Sequence, residues 1–174
     1  MHQFFTERLR CRLIEANDSD FVKGLYASTS RLEYLQAVLG DVCIDRIFDT
    51  IIRQNSSTSE SFYWLIEDKN NQEPLGIQSI TALKDLLSVF EFGIILAADA
   101  EGKGYAYEAL LAMIDYAFTI LDHDILVETH QANNLSVCKL AERLGLNHAA
   151  TFNHNQIEHC MTIKLKKDWS LEDK

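Results

Sequence analysis

Residues 91–110, EFGIILAADAEGKGYAYEAL, give the clearest indication of the fold. The apolar first half of this stretch predicts the end of a strand that runs from about Leu87 to Leu96, and Gly102-Lys103-Gly104 then marks a loop. Beyond the loop, apolar side chains recur at the spacing of one helix face, at Ala106, Ala109, Leu110, Met113, Ile114, Ala117 and Phe118. The segment therefore predicts a strand, a glycine-containing loop and a long helix in direct succession.

This loop has the composition of an anion site. The first turn of a helix offers free N–H groups and a partial positive charge, and glycines let a phosphate approach the backbone closely. Lys103 adds a cation. The dinucleotide pattern GxGxxG is excluded because Tyr107 replaces its last glycine, and the GxxxxGK[ST] pattern is excluded because Gly104 follows Lys103. The sequence thus predicts a phosphate or pyrophosphate cradle, the alternative being a flexible helix start without a ligand.

The flanking sequence predicts a sheet of about seven strands. Helices are predicted from Asn17, from Asp41 and over Asn133–Leu144, and strands over Leu9–Ile14, Ser61–Glu67, Leu75–Leu83, about Leu87–Leu96, Asp124–Thr129, His148–Phe152 and Glu158–Leu165. The strands of the central meander pair antiparallel, whereas the strand–helix–strand step that follows is a right-handed crossover between parallel strands. We expect one α/β (α+β) domain over residues 1–174, with a mixed and mostly antiparallel sheet flanked by helices.

Composition narrows the possible partners. The 174 residues carry 16 Lys+Arg against 26 Asp+Glu, a formal charge of −10, which disfavours nucleic acid and favours cationic ligands such as amines. No apolar run reaches the roughly 18–20 residues of a membrane span, and the first residues contain no signal peptide. The cysteines have no CxxC spacing and are expected to be unpaired thiols; they are Cys11, Cys43, Cys138 and Cys160. We expect a cytoplasmic protein with no nucleic-acid and no membrane partner.

The glycine loop resembles a known cofactor loop. Gly102-Lys103-Gly104-Tyr105-Ala106, followed by Glu108-Ala109, is similar to the acetyl-CoA pyrophosphate loop of the GNAT N-acetyltransferases, written R/Q-x-x-G-x-G/A. Glu101, Gly104 and Ala106 fall on its fixed positions. Glu101 departs from the family, in which Gln or Arg is usual, and a carboxylate beside a pyrophosphate predicts weaker binding.

Other segments resemble the same family in the same order. Thr6–Arg12 looks like the opening strand of the branch that acetylates ribosomal-protein N-termini, and Glu91-Phe92-Gly93 looks like its E-x-G. Asn133–Ser136 and then Glu142–Leu146 resemble its N-x-x-S … K-L-G-F element. The resemblance covers nearly the whole chain and implies an acyltransferase whose acceptor is a protein N-terminus.

The resemblance also implies where acetyl-CoA binds. In such a fold the fourth and fifth strands splay apart, and the pantetheine arm pairs with the backbone of the fourth strand. Here that strand would use Ile94, Ile95 and Leu96, and the pyrophosphate would rest on the amides of Gly102, Lys103, Gly104, Tyr105 and Ala106. Asn133 and Ser136 would complete the cofactor site. The implied cosubstrate is acetyl-CoA, with no metal, in a monomer or a homodimer.

Acetyl transfer to an amine needs a base, an oxyanion donor and a proton for the leaving thiolate. We choose Glu91 as the base, with Glu128 and His130 as alternatives that share one strand face. A backbone N–H near Ile95 or Leu96 would bind the oxyanion. The N-x-x-S match implies that Ser136 donates the proton, the alternatives being acetyl-CoA contact or helix capping. The tyrosine that many GNAT enzymes use is replaced by Ala141.

Further readings of single residues and of the whole chain remain open. His154 and His159 are disfavoured as metal ligands, because a separation of five places them on opposite faces of any one strand. Cys138 near His130 is either a nucleophile or, as we favour, a buried structural thiol. The leading function is direct acetyl transfer in a ternary complex to a protein N-terminus, polyamine, aminoglycoside or other small amine. The alternative is a non-catalytic acyl-CoA-binding or regulatory module.

Overall fold

The computed structural model describes residues 2–28, 43–56, 60–83, 86 and 88–170. In these ranges it has four helices, α1 (Ser19–Ala27), α2 (Ile44–Asn55), α3 (Tyr105–Thr119) and α4 (Leu135–Arg143). The strands are β1 (Phe4–Phe5), β2 (Leu9–Leu13), β3 (Phe62–Asp68), β4 (Pro74–Ala82), β5 (Val89–Leu96), β6 (Ile125–Gln131), β7 (Asn147–His154) and β8 (Ile157–Leu165). No helix in the described part is long and apolar enough to cross a bilayer.

All eight strands form one sheet in the order β1-β2-β3-β4-β5-β6-β8-β7. Every neighbouring pair is antiparallel except β5 and β6, which are parallel. The predicted mixed, mostly antiparallel sheet flanked by helices is therefore confirmed. The additional strand is β1, where Phe4 pairs with Cys11 and Phe5 with Arg10.

Helices cover both faces of the sheet. Because successive strand residues point to opposite faces, Trp64 and Leu65 of β3 enter different cores. The larger core packs under α3, with Met113 and Phe118 fully enclosed, and it includes Leu144 just beyond α4. The smaller core lies under α1 and α2. The face that carries α3 and α4 is called the α3 face below.

Three helices follow the segments from which the sequence predicted them, at Asn17, Asp41 and Asn133. Residues 41–42 lie outside the described residues, and α2 begins at Ile44. Asp18 is the N-cap residue of α1, but its side chain makes no cap bond to that helix. Its carboxylate instead accepts bonds of 2.8 Å from both terminal nitrogens of Arg12 and from the Glu15 N–H. A charge-assisted, bidentate bond to Arg12 competes successfully for this cap acceptor because it is stronger than a bond to a neutral backbone N–H.

The sheet opens between β5 and β6. Pairing runs only from Val89 with Ile125 to Glu91 with Val127, although β5 continues to Leu96 and β6 to Gln131. These are the fourth and fifth strands of the sequence prediction, so the predicted splay is confirmed. The space between residues 92–96 and residues 128–131 is called the cleft below. The predicted start of this strand, at about Leu87, lies outside the described residues.

Candidate functional site

The glycine loop presents open backbone at the start of α3. Gly102 and Gly104 have φ of +72° and +83°, in the left-handed region that side chains disfavour. A Cβ atom at Gly102 would meet nothing within 4 Å, and one at Gly104 would meet only the Arg8 guanidinium, at 3.5 Å. Gly104 is the N-cap of α3, so the first free amides of the helix follow it directly. The loop therefore has the open, amide-rich surface that an anion needs.

The other predicted loop residues surround this surface. Lys103 and Glu101 are both exposed, whereas Tyr105 and Ala106 are half-buried in the first turn of α3. Because Glu101 is exposed, solvent and salt screen its charge, which lessens the penalty expected for a negative charge at this position. The structure thus brings Gly102, Lys103 and Gly104 together with the first helical residues, as the sequence predicted.

Sequence analysis missed the side chain that holds this loop from below. Arg8 donates from Nε to Glu108 Oε2 at 2.7 Å and from Nη1 to the Lys103 carbonyl at 3.1 Å. Its guanidinium carbon lies 4.5 Å from the centre of the Tyr105 ring. Arg8 therefore joins β2, the loop and the first turn of α3, and it places a second cation beside the exposed glycines.

Glu108 completes this clamp. Besides Arg8 Nε, its carboxylate accepts the Arg8 backbone N–H at 2.9 Å and the Thr6 hydroxyl at 2.5 Å. Burial acts to raise the pKa of Glu108, but the hydrogen bonds from Thr6 and Arg8 and the Arg8 charge outweigh it and lower the pKa below its usual value. The charged form is therefore the one that the folded protein prefers.

We expect Glu108 to contribute a measurable pH dependence of stability. Because the folded-state pKa is lowered, the contribution is present above the unfolded-state pKa near ~4.3 and is lost as pH falls through the folded value. Urea unfolding of the wild type and of Glu108→Gln should differ most at neutral pH and converge in acid. A difference that grew on acidification would contradict this sign.

Glu91 lies where the cleft begins. It is the last β5 residue that pairs with β6, opposite Val127, and it is half-buried. Phe90 and Phe92 point into the α3-face core, so the side chain of Glu91 points to the opposite face. Burial and, secondarily, the charge of Glu91 raise the pKa of Tyr63 on β3. Glu91 therefore reaches the face under α1 and α2, across the sheet from the glycine loop.

Glu128 and His130 form a hydrogen-bonded pair on the other side of the cleft. His130 Nδ1 lies 2.8 Å from Glu128 Oε2, and the Thr162 hydroxyl donates to the same oxygen at 3.1 Å. Burial raises the pKa of Glu128 against the opposing hydrogen bonds of His130 and Thr162, and the charge of Glu91 adds a smaller contribution in the same direction as burial. Glu128 and His130, which were predicted to share one strand face, are therefore in direct contact.

Cys138 lies against the same histidine. Its Sγ is 3.4 Å from His130 Nε2, and the side chain is only partly buried. The favoured prediction of a buried structural thiol was therefore wrong, because α4 turns Cys138 toward the end of β6 and not into the core. The residue of α4 that is buried is Ala141.

The start of α4 differs from the predicted capping. The N-cap is Asn134, whose Oδ1 accepts the Val137 N–H at 3.3 Å, so neither Asn133 nor Ser136 caps the helix. Asn133 and Ser136 are both exposed. Their contact with acetyl-CoA and the proton-donor role of Ser136 stay predictions.

The placement of His154 and His159 on opposite faces of one strand was wrong. His154 and His159 do not share one strand; they lie on β7 and β8 of the closing hairpin, with ring centroids 6.4 Å apart. The hairpin turns at Asn155 and Gln156, both with positive φ. Across the described ranges, no group of three or more His, Cys, Asp or Glu side chains is arranged to hold a metal.

Comparison with known proteins identifies the family. The family model described as the acetyltransferase (GNAT) domain matches residues 8–147. The chain belongs to the GNAT acetyltransferase family, which confirms the predicted family and the prediction of an acetyltransferase. A relative from Bacillus licheniformis, named an uncharacterized N-acetyltransferase p20, is 26% identical over 146 residues, which cover 83% of this chain and 82% of the relative.

Solved structures share the fold. Spermidine N-acetyltransferase from Vibrio cholerae, solved in complex with CoA and spermine, superposes with a TM-score of 0.76 at 18% identity, covering 92% of this chain and 96% of that one. Ribosomal-protein-S5-alanine acetyltransferase from Vibrio fischeri superposes with a TM-score of 0.75 at 19% identity, covering 98% and 100%. At these identities the likeness extends to the fold and leaves the acceptor open.

Proposed function

We propose that this protein is an acetyl-CoA-dependent N-acetyltransferase that passes the acetyl group to a primary amine by direct transfer in a ternary complex. The observation that carries the proposal is the open glycine loop. It lies between β5, the strand that borders the cleft, and the start of α3. A loop without a ligand role would not need two left-handed glycines on either side of Lys103, where added Cβ atoms would meet nothing at Gly102 and only the Arg8 guanidinium at Gly104.

Acetyl-CoA fits the backbone that this chain offers. Gly102, Lys103, Gly104, Tyr105 and Ala106 would hold the pyrophosphate with their amides, with Lys103 and Arg8 as cations. The pairing of β5 with β6 ends at Glu91, so the backbone at Ile94, Ile95 and Leu96 borders the cleft, where an extended pantetheine arm would add to the sheet. Bound there, acetyl-CoA would supply an activated acyl thioester.

The chain's own groups then have separate tasks on the two faces of the sheet. Glu91, on the face under α1 and α2, would take the proton of the incoming ammonium, which otherwise titrates near pH ~10. A backbone N–H near Ile95 would bind the oxyanion. Ser136, exposed at the start of α4, would return a proton to the departing thiolate.

The acceptor is proposed as a primary amine on a protein N-terminus or on a small cation. The formal charge of −10 favours cationic acceptors of either kind. The printed names of the structural neighbours cover both kinds, since one acts on spermidine and another on a ribosomal protein. The pattern at Thr6–Arg12 favours the protein N-terminus. We also propose that residues 1–174 form one domain, because β8 lies beyond the residues that the family model matches, 8–147, but pairs with β6 inside them. We place this domain in the cytoplasm.

The experiment that tests this function combines binding and turnover. Isothermal calorimetry with acetyl-CoA is followed by a thiol-release assay with N-terminal peptides, polyamines and aminoglycosides. Binding together with thiol release on at least one amine is expected. Binding without release on any amine would favour the non-catalytic acyl-CoA-binding module, and no binding at all would contradict both.

Replacement of Glu91 by Gln is expected to lower kcat about 100-fold, because a positioned base contributes ~10²–10⁴-fold to proton transfer. The dissociation constant of acetyl-CoA should stay unchanged, since Glu91 points away from the face of the glycine loop. Glu73→Gln, an exposed carboxylate on the turn before β4, is the matched control. If Glu91→Gln kept full activity and Glu128→Gln lost its activity, the base would be Glu128 on β6 and not Glu91.

Replacement of Arg8 by Gln is expected to weaken CoA binding about tenfold, or about 1.4 kcal/mol. The variant loses a cation beside the loop and the bond that holds the Lys103 carbonyl. Arg10→Gln is the matched control, because Arg10 lies two residues further along the chain, in β2, and pairs with Glu67 at 3.5 Å. Calorimetry in which both variants bind CoA equally well would show that the clamp has no part in binding.

A further inference from the structure

Cys138, His130 and Glu128 form a chain in the order thiol, imidazole, carboxylate. His130 contacts Cys138 Sγ through Nε2 at 3.4 Å and Glu128 Oε2 through Nδ1 at 2.8 Å. Thr162 in turn donates to that Glu128 oxygen at 3.1 Å. A nucleophile within reach of a base, and a base oriented by a third group, is the arrangement by which proteins activate a thiol.

Cys138 is positioned by the first turn of α4 and is partly exposed. Cys138 is the fourth residue of α4, and its N–H donates to the Asn134 carbonyl at 3.0 Å. Its Sγ has one other polar contact, with the Ala132 carbonyl at 3.9 Å, which is longer than the contact with His130. His130 is buried, so the base is shielded from water, whereas Cys138 is partly exposed.

This chain lies beside the cleft. The parallel register pairs Val89 with Ile125 and Glu91 with Val127, and its continuation sets Ile94 level with His130 across the gap. Leu126 points into the α3-face core, so Glu128 and His130 point to the α3 face as well. The glycine loop and α4 are on that same face. A ligand that runs from the loop toward Ile94 therefore passes on the side where Cys138 lies.

We propose that Cys138 is a nucleophilic thiol that accepts an acetyl group from acetyl-CoA when no amine is present. The acetyl donor rests on the proposed function, whereas the activation of the thiol does not. His130 takes the thiol proton, and the sulfur of Cys138 attacks the thioester carbonyl. The bond between the acetyl carbon and the CoA sulfur breaks, a new carbon–sulfur bond forms, and His130 returns its proton to the CoA thiolate. One thioester replaces another, so no oxidant or further reactant is needed.

The first experiment tests the activation of the thiol without CoA. The protein is treated with iodoacetamide near pH 7, and each cysteine is followed by mass spectrometry. An unactivated thiol is only a few per cent ionised there, so His130→Gln should slow alkylation of Cys138 about tenfold or more. The exposed Cys43 should be unaffected, and labelling of the fully buried Cys11 would report unfolding.

A second variant guards against a folding defect. Glu128→Gln keeps the histidine and removes the charge that orients it, so a smaller decrease at Cys138 is expected, with Cys43 again unchanged. Equal alkylation of Cys138 in the wild type and in both folded variants would overturn the activation by His130.

The second experiment tests the acetyl transfer. Wild-type protein is incubated with acetyl-CoA and no amine, and peptides are analysed before and after hydroxylamine. One acetyl group on Cys138, removed by hydroxylamine and absent from Cys138→Ala, is expected. Thermal shift with acetyl-CoA and thiol release on amines are measured in parallel. Binding and turnover without an acetyl group on Cys138 would overturn this inference alone, whereas the absence of any binding would overturn the proposed function and the acetyl transfer together.

Discussion

Gly104→Glu is expected to lower the affinity for CoA at least about 1,000-fold, or about 4 kcal/mol. Gly104 has φ of +83°, where any side chain is strained, and the space above it is open to the proposed pyrophosphate. A glutamate there would fill that space and set a carboxylate against the phosphates. Each charge-assisted hydrogen bond lost to a phosphate costs ~1.5–3 kcal/mol, so the loss of two or more accounts for the size of the effect.

Calorimetry with CoA measures this change, and the melting temperature shows whether the variant is folded. Gly24→Glu is the matched control, because Gly24 lies on α1 with nothing within 4 Å of an added Cβ atom. It should bind CoA as the wild type does. A folded Gly104→Glu protein with wild-type affinity would mean that the pyrophosphate lies elsewhere.

Gly76→Ala is expected to cost about 3 kcal/mol of stability, because overpacking at a site that cannot yield is strongly destabilising. Gly76 on β4 pairs with Leu96 at the end of β5. An added Cβ atom would lie 2.4 Å from the Ile95 carbonyl oxygen and 2.9 Å from the Leu96 Cα atom. Both are backbone atoms, so the strand itself would have to move, and that strand carries the proposed oxyanion donor.

Thermal unfolding should show the melting temperature of Gly76→Ala lowered by about 6–12 °C, at ~2–4 °C per kcal/mol for a chain of this size. Gly93→Ala is the internal comparison, because an added Cβ atom at Gly93 meets nothing within 4 Å. Gly93 lies on β5, so both variants alter the same strand pair. Equal stability of the two variants would contradict the close approach of β4 and β5 at Gly76.

The features that the sequence predicted well are those with a local pattern. The apolar residues after Gly104 recur at helical spacing, and α3 begins one residue later, at Tyr105. The split between β5 and β6 was predicted through the family resemblance. In contrast, β1 is only Phe4–Phe5, too short to show an alternating pattern.

The features that the sequence did not reveal depend on distant contacts. Arg8 and Glu108 are 100 positions apart, and only the fold brings them together under the glycine loop. The sequence placed Cys138 near His130, but the direct contact of the two side chains depends on how α4 follows β6, which no periodicity encodes. Asp18 has the local sequence context of a helix cap, but its carboxylate binds Arg12, six residues earlier on β2.

The backbone from Gly102 to Ala106 is proposed to bind the pyrophosphate of CoA. A crystal structure of the protein with CoA tests it most directly. We predict phosphate oxygens within hydrogen-bond distance of these amides and the pantetheine arm along Ile94 and Ile95 in the cleft. Phosphates bound at another surface, or a cleft that stays empty while CoA is bound elsewhere, would contradict the claim.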